Sequence, residues 1–453
     1  MNISSKAQSS AKKTNAASDK VRLVTLDPGH FHAALVQKAM YKEVDPTVYV
    51  YAPGGPDVQQ HIDKINAYNS RSDDPTKWQE EVYTGNDFLE KMLGQKKGNV
   101  VVMAGNNKKK TEYIFKAINA GFNVLADKPM AIDKKNFELL KSAFGVAAKR
   151  NVLVYDIMTE RYEITTILQR ELSLLPQVFG QLEKGTPENP AVTKESVHHF
   201  YKYVSGSVLQ RPPWFMDVTQ EGEGIVDVTT HLVDLVQWEC FPGKIIDYTK
   251  DIKLTSARRW ATDISSSQFN ALTKLNAFPD YLKKNVVKDS ILNVYSNGEI
   301  NYEIKGVHAK VSVRWAYKAP KGAGDTHYSI MRGTKANLII RQGADQNYKP
   351  ALYIEPIDGN DASYANALEE QLKSIQAKYP GVGIEKNAAG WKVTIPEKYN
   401  EGHESHFARV MEKFLQYYKE GRLPVWEVPN MIAKYYTTTA ALQMAMQAKN
   451  SSQ

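Results

Sequence analysis

Short apolar runs alternate with amphipathic stretches over the first third of the chain, and from about residue 158 this gives way to longer runs of period two. Residues 21–26, 48–51, 99–104, 123–126 and 152–155 each read as a buried strand, and residues 32–41 and 111–120 as helices, the second closed by Gly121. Short strands alternating with helices predict a parallel sheet with right-handed crossovers, over 21–157. Beyond it, the alternation in 309–315 predicts antiparallel strands, and 291–300 reads as a hairpin turning at Asn297-Gly298. The stretch 358–390, rich in Ala, Asn and Gln, reads as an insertion, and 407–418 and 428–445 as amphipathic helices that pack back on the body. The predicted class is α/β: an N-terminal Rossmann-type parallel sheet, then an α+β domain over 158–453 with a largely antiparallel open sheet. No internal repeat is present.

Composition narrows the function classes. With 453 residues, 42% apolar and 24% charged, the chain suits a two-domain globular enzyme. No run of 18 apolar residues exists, which excludes a membrane-spanning helix. The formal charge of +8 is scattered among acidic residues, so no basic stripe for nucleic acid forms; its densest cluster, Lys108-Lys109-Lys110, reads as a solvated helix start. Cys240 is the single cysteine, which rules out an internal disulfide, and Trp238 and Phe241 beside it favour inert burial. Residues 1–20 hold four Lys against one Asp with no apolar periodicity and read as a disordered lead-in. Such a tether suits a cytoplasmic extension or the remnant of a removed leader equally, so cytoplasm and periplasm both stay open.

Two short stretches carry the chemistry. Ala126-Asp127-Lys128-Pro129 puts an ammonium at the end of a strand, and 224–231 puts Asp227 and His231 four residues apart, on one face of a predicted helix. Lysine, aspartate and histidine are groups that move a proton while a hydride leaves. The plain competitors are a surface lysine and a core histidine. In Asp27-Pro28-Gly29-His30-Phe31-His32 only the middle glycine of a G-x-G-x-x-G turn is kept, the one that lets backbone approach a pyrophosphate. The second strand ends without the acidic residue that would hold a ribose: Tyr51 is followed by Ala52-Pro53-Gly54-Gly55, and the next carboxylate is Asp57. His198-His199 and His403-Glu404-Ser405-His406 match no zinc spacing, and no metal site is assigned. Arg211-Pro212-Pro213-Trp214 suits a sugar face and its hydroxyls, or a packed loop anchor; Lys202 and His327 are further substrate-side candidates.

These stretches together resemble the glucose-fructose oxidoreductase, inositol dehydrogenase and rhizopine-catabolism (Gfo/Idh/MocA) family. Residues 104–107 and 117–129 are similar to its cofactor loop, helix and catalytic-lysine strand; 224–238 to its Asp-x-x-x-His helix; Leu423-Pro424 and Lys434-Tyr435-Tyr436 to its helical return. The match runs through most of the chain in outline and is strongest over 99–161 and 211–240. Departures are Asp127 for the usual Glu, the eroded glycine turn, and Lys110 where many members carry histidine. Residues 291–356, with Gly324-Asp325-Thr326-His327-Tyr328, resemble a distinctive C-terminal domain of a Bacteroides-type oxidoreductase branch.

The resemblance implies NAD or NADP, held tightly, and a small carbohydrate substrate oxidised at a secondary ring hydroxyl, with C3 of a glycoside leading. It implies Lys128 and His231 at the reacting hydroxyl with Asp227 orienting His231. Gly29, His30, Phe31, Asn106, Asp127 and Lys128 would line the cofactor side, Arg161, Lys202, Arg211, Trp214 and His327 the substrate side, in a homo-oligomer. Two other readings stay open: a glycosidase that cycles a bound NAD, and a non-catalytic cofactor-binding regulator. Retention of Lys128, Asp227 and His231 argues against the regulator.

Overall fold

The computed structural model describes residues 20–204, 207–359 and 362–450, so the lead-in through residue 19 lies outside the described residues. Its first sheet is built from β1 (Leu23–Leu26), β2 (Thr47–Ala52), β3 (Gln79–Thr84), β4 (Val100–Met103), β5 (Asn123–Asp127) and β6 (Val154–Ile157). All pairings are parallel and the order is β3-β2-β1-β4-β5-β6, the doubly wound order of dinucleotide-binding folds. The helices α1 (His32–Leu35), α2 (Pro56–Ser70), α3 (Phe88–Gln95), α4 (Lys110–Asn119) and α5 (Lys134–Arg150) connect them. Strands β1, β4 and β6 are buried at every position, as expected of a sheet covered on both faces.

A second unit opens with α6 (Ile164–Ser173) and β7 (Val192–Tyr201) and continues through the ribbon β8 (Tyr203–Val204) and β9 (Ser207–Val208) to α7 (Thr229–Cys240). The elements β10 (Ile252–Ser265), α8 (Ser266–Thr273), β11 (Val286–Val287), β12 (Ile291–Ile304), β13 (Val307–Lys318), β14 (Thr326–Arg332), β15 (Ala336–Arg341) and β16 (Ala351–Pro356) follow. Then come α9 (Ala362–Lys378), β17 (Gly383–Asn387), β18 (Gly390–Thr394), α10 (His403–Glu420) and α11 (Glu427–Asn450). Their sheet runs β10-β12-β13-β7-β14-β15-β16-β18-β17, and only β13 with β7 is parallel. The last two helices return to the first sheet. Phe407, Val410 and Phe414 of α10 pack with Leu23, Val100 and Leu125 on one face, and Met431 and Tyr435 of α11 join Val24, Val101 and Ile114 on the other.

Three local expectations give way to the structure. Residues 297–298 are no hairpin turn: β12 runs straight through them. Asn297 serves a bulge instead, its amide donating to Trp260 O at 3.1 Å and Thr262 Oγ1 at 2.9 Å, where the register with β10 shifts. The helix expected over 32–41 stops at Leu35. Tyr41 Oη donates to Val36 O at 2.8 Å and Trp78 Nε1 to Gln37 O at 2.6 Å, taking carbonyls that a continuing helix needs. The stretch 358–390, read as an insertion, holds α9 and β17, and Leu368, Leu372 and Ile375 of α9 lie in the main core of the second unit. Lys110 is buried rather than solvated, its Nζ donating to the Asp127 carbonyl at 3.1 Å.

Candidate active site

The C-terminal ends of β1 and β5 face a pocket of 1660 Å³ whose other walls come from the second sheet and the start of α10. Lys128, directly after β5, lies on its floor, and its Nζ makes an ion pair with Asp227 Oδ1. Both side chains are over nine-tenths buried. Burial works against the Lys128 charge, but Asp227 and Asp127 outweigh it and hold the ammonium's pKa above its ordinary value.

Asp227 does not orient His231. The turns over 225–228 precede α7, which begins at Thr229, so the four-residue spacing does not set the two side chains on one helical face. The carboxylate turns to Lys128, and His231 lines the same pocket with Nδ1 buried and without a hydrogen-bond partner. Burial, then the Lys128 charge, push the His231 pKa down to about 4, so the ring is neutral at pH 7. Glu221, which sequence reading passed over, lines the floor too: burial and the Asp227 charge raise its carboxyl well above the usual range. Asn107 Nδ2 donates to its carbonyl at 2.6 Å. A run of three acids in the apolar stretch before α7 (Glu221, Glu223, Asp227) was the available signal.

On the turn after β1, the Gly29 and His30 amides both reach Ala104 O at 3.2 Å. A Cβ on Gly105 would lie 2.2 Å from Asp27 O, so β1 and β4 ends touch backbone to backbone. Trp214 lies over Gly29 and donates from Nε1 to Asp57 Oδ2 at 2.8 Å, and Asn106 Nδ2 donates to Gln220 Oε1 at 2.7 Å. Phe31 lines the pocket between His30 and His32. The Asp127 carboxylate turns to those two imidazoles, which offset the effect of burial and keep its pKa well below the usual range.

The substrate-side candidates divide. Lys202 and His327 line the pocket; Lys202 Nζ donates to Asp325 Oδ2 at 2.7 Å, and His327 is half-buried, its buried Nε2 without a hydrogen-bond partner among the described residues. Arg211 also lines it, but its guanidinium donates to the carbonyls of Phe200 and His199 and stacks over Phe215. Trp214 faces Gly29 rather than the large pocket. Arg161 stands outside the pocket lining, with Asp234 held bidentate at 2.7 Å and Glu427 at 2.9 Å. From the other wall come Glu160, His403 and His406, the first two paired at 3.4 Å.

The family described as "Putative oxidoreductase C terminal domain" matches residues 168–446. A crystal structure described as a putative oxidoreductase from Parabacteroides merdae is 59% identical over 95% of this chain and 98% of its own, with a TM-score of 0.92. A levoglucosan dehydrogenase solved with NADH and L-sorbose shares the fold at 10% identity over 94% of this chain and 97% of its own, TM-score 0.60. A 3-ketoreductase from Actinomadura kijaniata, solved with NADP, shares it at 13% identity over 94% and 98%, TM-score 0.57. No curated protein matches the chain.

Proposed function

Since the chain belongs to the oxidoreductase family that carries this C-terminal domain, we propose that it is a Gfo/Idh/MocA-type enzyme that oxidises a secondary ring hydroxyl of a sugar or glycoside. C3 of a glucose-type ring is the leading position, and NAD or NADP the acceptor. The observation that carries this is the buried Lys128–Asp227 pair on a pocket floor that His231 shares. The relatives' ligands, a nicotinamide dinucleotide with a sugar in one case, support the same class.

The residues at the sheet's switch point fit a dinucleotide. A Cβ on Gly29 would come within 3.1 Å of Asp57 Oδ2 and Trp214 Cζ2, so a side chain here would crowd the crevice that bare backbone leaves open. Gly29, Phe31 and Asn106 would hold the group, exchanging the Trp214–Asp57 and Asn106–Gln220 contacts for contacts to it. When bound, the nicotinamide supplies hydride acceptance. Lys128 donates a charge-assisted hydrogen bond to the substrate oxygen and steadies the negative charge that grows there as the C–H bond breaks. His231, neutral and with a free Nδ1, accepts the hydroxyl proton. Asp227 fixes the ammonium in place and keeps it charged.

The pocket's size leaves room for a glycoside with its aglycone. A panel of glycosides, hexoses and inositols followed by product NMR separates the outcomes. A keto-sugar supports dehydrogenation; free aglycone without net reduction moves the reading to a redox-cycling glycosidase. Denatured protein should release a nicotinamide dinucleotide, or calorimetry should register its binding. Lys128→Met and His231→Ala should each lower turnover roughly a hundredfold or more while dinucleotide binding persists. Parental turnover in either variant removes that residue from the chemistry.

A further inference from the structure

Two imidazoles of the turn after β1 have no task in hydroxyl oxidation. His32 Nδ1 lies 2.9 Å from Asp127 Oδ2, and His30 Nδ1 lies 3.5 Å from the same oxygen. The first is a hydrogen bond. The second is too long for one, and His30 Nδ1 is buried with no hydrogen-bond partner among the described residues. The two rings stand nearly perpendicular, 82° apart with centroids 4.0 Å from each other, so both nitrogens converge on one carboxylate oxygen. These three donor atoms lie within 4.8 Å of one another. The neighbouring cations leave the carboxylate to the imidazoles: Lys128 Nζ pairs with Asp227, and Lys110 Nζ donates to the Asp127 main-chain carbonyl.

One shared proton satisfies the 2.9 Å contact but not the 3.5 Å one, whereas an ion can be held by all three atoms. Around a cation with bonds of about 2.0 to 2.2 Å to nitrogen and oxygen, adjacent ligand atoms stand roughly 3.0 Å apart at octahedral angles and roughly 3.4 Å at tetrahedral ones. Two neutral imidazoles and one carboxylate form the donor set of open first-row metal sites, with further positions left for water or substrate. His30 and His32 both line the large pocket, so those positions face the substrate.

We propose that His30, His32 and Asp127 form a binding site for one first-row divalent cation, of the Zn²⁺ or Co²⁺ type, with its open positions toward the pocket. The histidines two apart on the turn and an aspartate at the end of β5 fit no linear metal motif; the topology brings them together, because β1 and β5 both flank β4. The site stands independently of the hydroxyl-oxidation reading, since its test needs neither nucleotide nor sugar.

Protein dialysed against chelator, then against buffer, is titrated with ZnCl₂ by calorimetry and with CoCl₂ by visible absorption. One ion per chain is expected, with Co²⁺ ligand-field bands in the visible range and a raised melting temperature. His30→Ala removes a ligand whose Nδ1 makes no hydrogen bond among the described residues, and it should weaken binding at least about a hundredfold, the upper end of what loss of a mere outer partner costs. His32→Gln provides a second variant, with near-UV circular dichroism to establish that each is folded. Asp325→Asn, in the separate His198–His199–Asp325 cluster, should leave binding unchanged. Absence of saturable binding to millimolar Zn²⁺ and Co²⁺ overturns the proposal. So does binding that survives in folded His30→Ala and His32→Gln, or that disappears with Asp325→Asn.

Discussion

Lys128 keeps its charge where burial alone would remove it, and the pH behaviour of the site follows from what surrounds it. The ammonium's pKa sits above its ordinary value of about 10.4 and His231 near 4, so both hold their working forms across the neutral range. The plot of kcat/KM against pH should therefore be flat from about 5.5 to 9, with its acid limb near pH 4 rather than near 6.5, where an unperturbed imidazole would place it. Asp227→Asn removes the main partner that sustains the ammonium, so the alkaline limb should move to lower pH and turnover fall. An acid limb near 6.5 would mean that the pocket does not depress the His231 imidazole, and a limb that persists in His231→Ala would mean that another group is the base. At this scale Lys128 and His231 were legible as residue types in a setting. The partnership of Asp227 was not: four-residue spacing implies a shared helical face only inside a helix, and α7 starts after Asp227. The His30–Asp127 approach was hidden as well, because 97 positions of chain separate its members and only the strand order joins them.

At the scale of elements, β12 and the turn before α7 hold each other in place through two glycines. A Cβ on Gly224 would stand 1.8 Å from Ser296 O, and one on Gly298 would stand 2.5 Å from Ile225 Cβ. The backbone at 224–225 thus lies directly on 296–298. That contact sets the path leading to Asp227. Gly298→Ala should cost about 1 to 3 kcal/mol in urea unfolding through overpacking, and lower turnover too because the shift reaches Asp227. Unchanged stability and activity would show that the strand yields without moving the site. Asn297-Gly298 reads locally as a turn, yet the tertiary contact needs the missing side chain and the bulge needs the amide. The β1, β4 and β5 runs were legible because strands buried on both faces are continuously apolar. Edge strand β3 was not, with most of its residues exposed or half-exposed.

Across the whole molecule, charged groups far apart in sequence are buried together. Arg161 binds Asp234 and Glu427, while Lys434 binds Asp234 at 2.7 Å and Asp156 at 2.6 Å, tying the end of the first sheet to α7 and α11. Several histidines elsewhere in the molecule are held neutral. Burial pushes His61, His231 and His406 down to about 4 and His327 to about 3. The unfolded chain, with imidazoles near 6.5, binds more protons than the folded one between those values, so stability rises with pH in that window. Their contribution is fully present above about pH 6.5 and is lost progressively as pH falls toward 4. His61 isolates the effect, because it lies on α2 and both its ring nitrogens are buried without partners. The melting temperature should fall as pH drops from 7 to 4.5, and His61→Phe should flatten that fall by up to about 1.4 kcal/mol for each pH unit crossed. At pH 7 the variant should be near neutral or more stable, because an apolar ring leaves no unsatisfied nitrogen behind. If the variant and parent melt with the same pH slope, His61 is hydrated or partnered in solution, and the acid sensitivity of the molecule lies in its carboxylates instead.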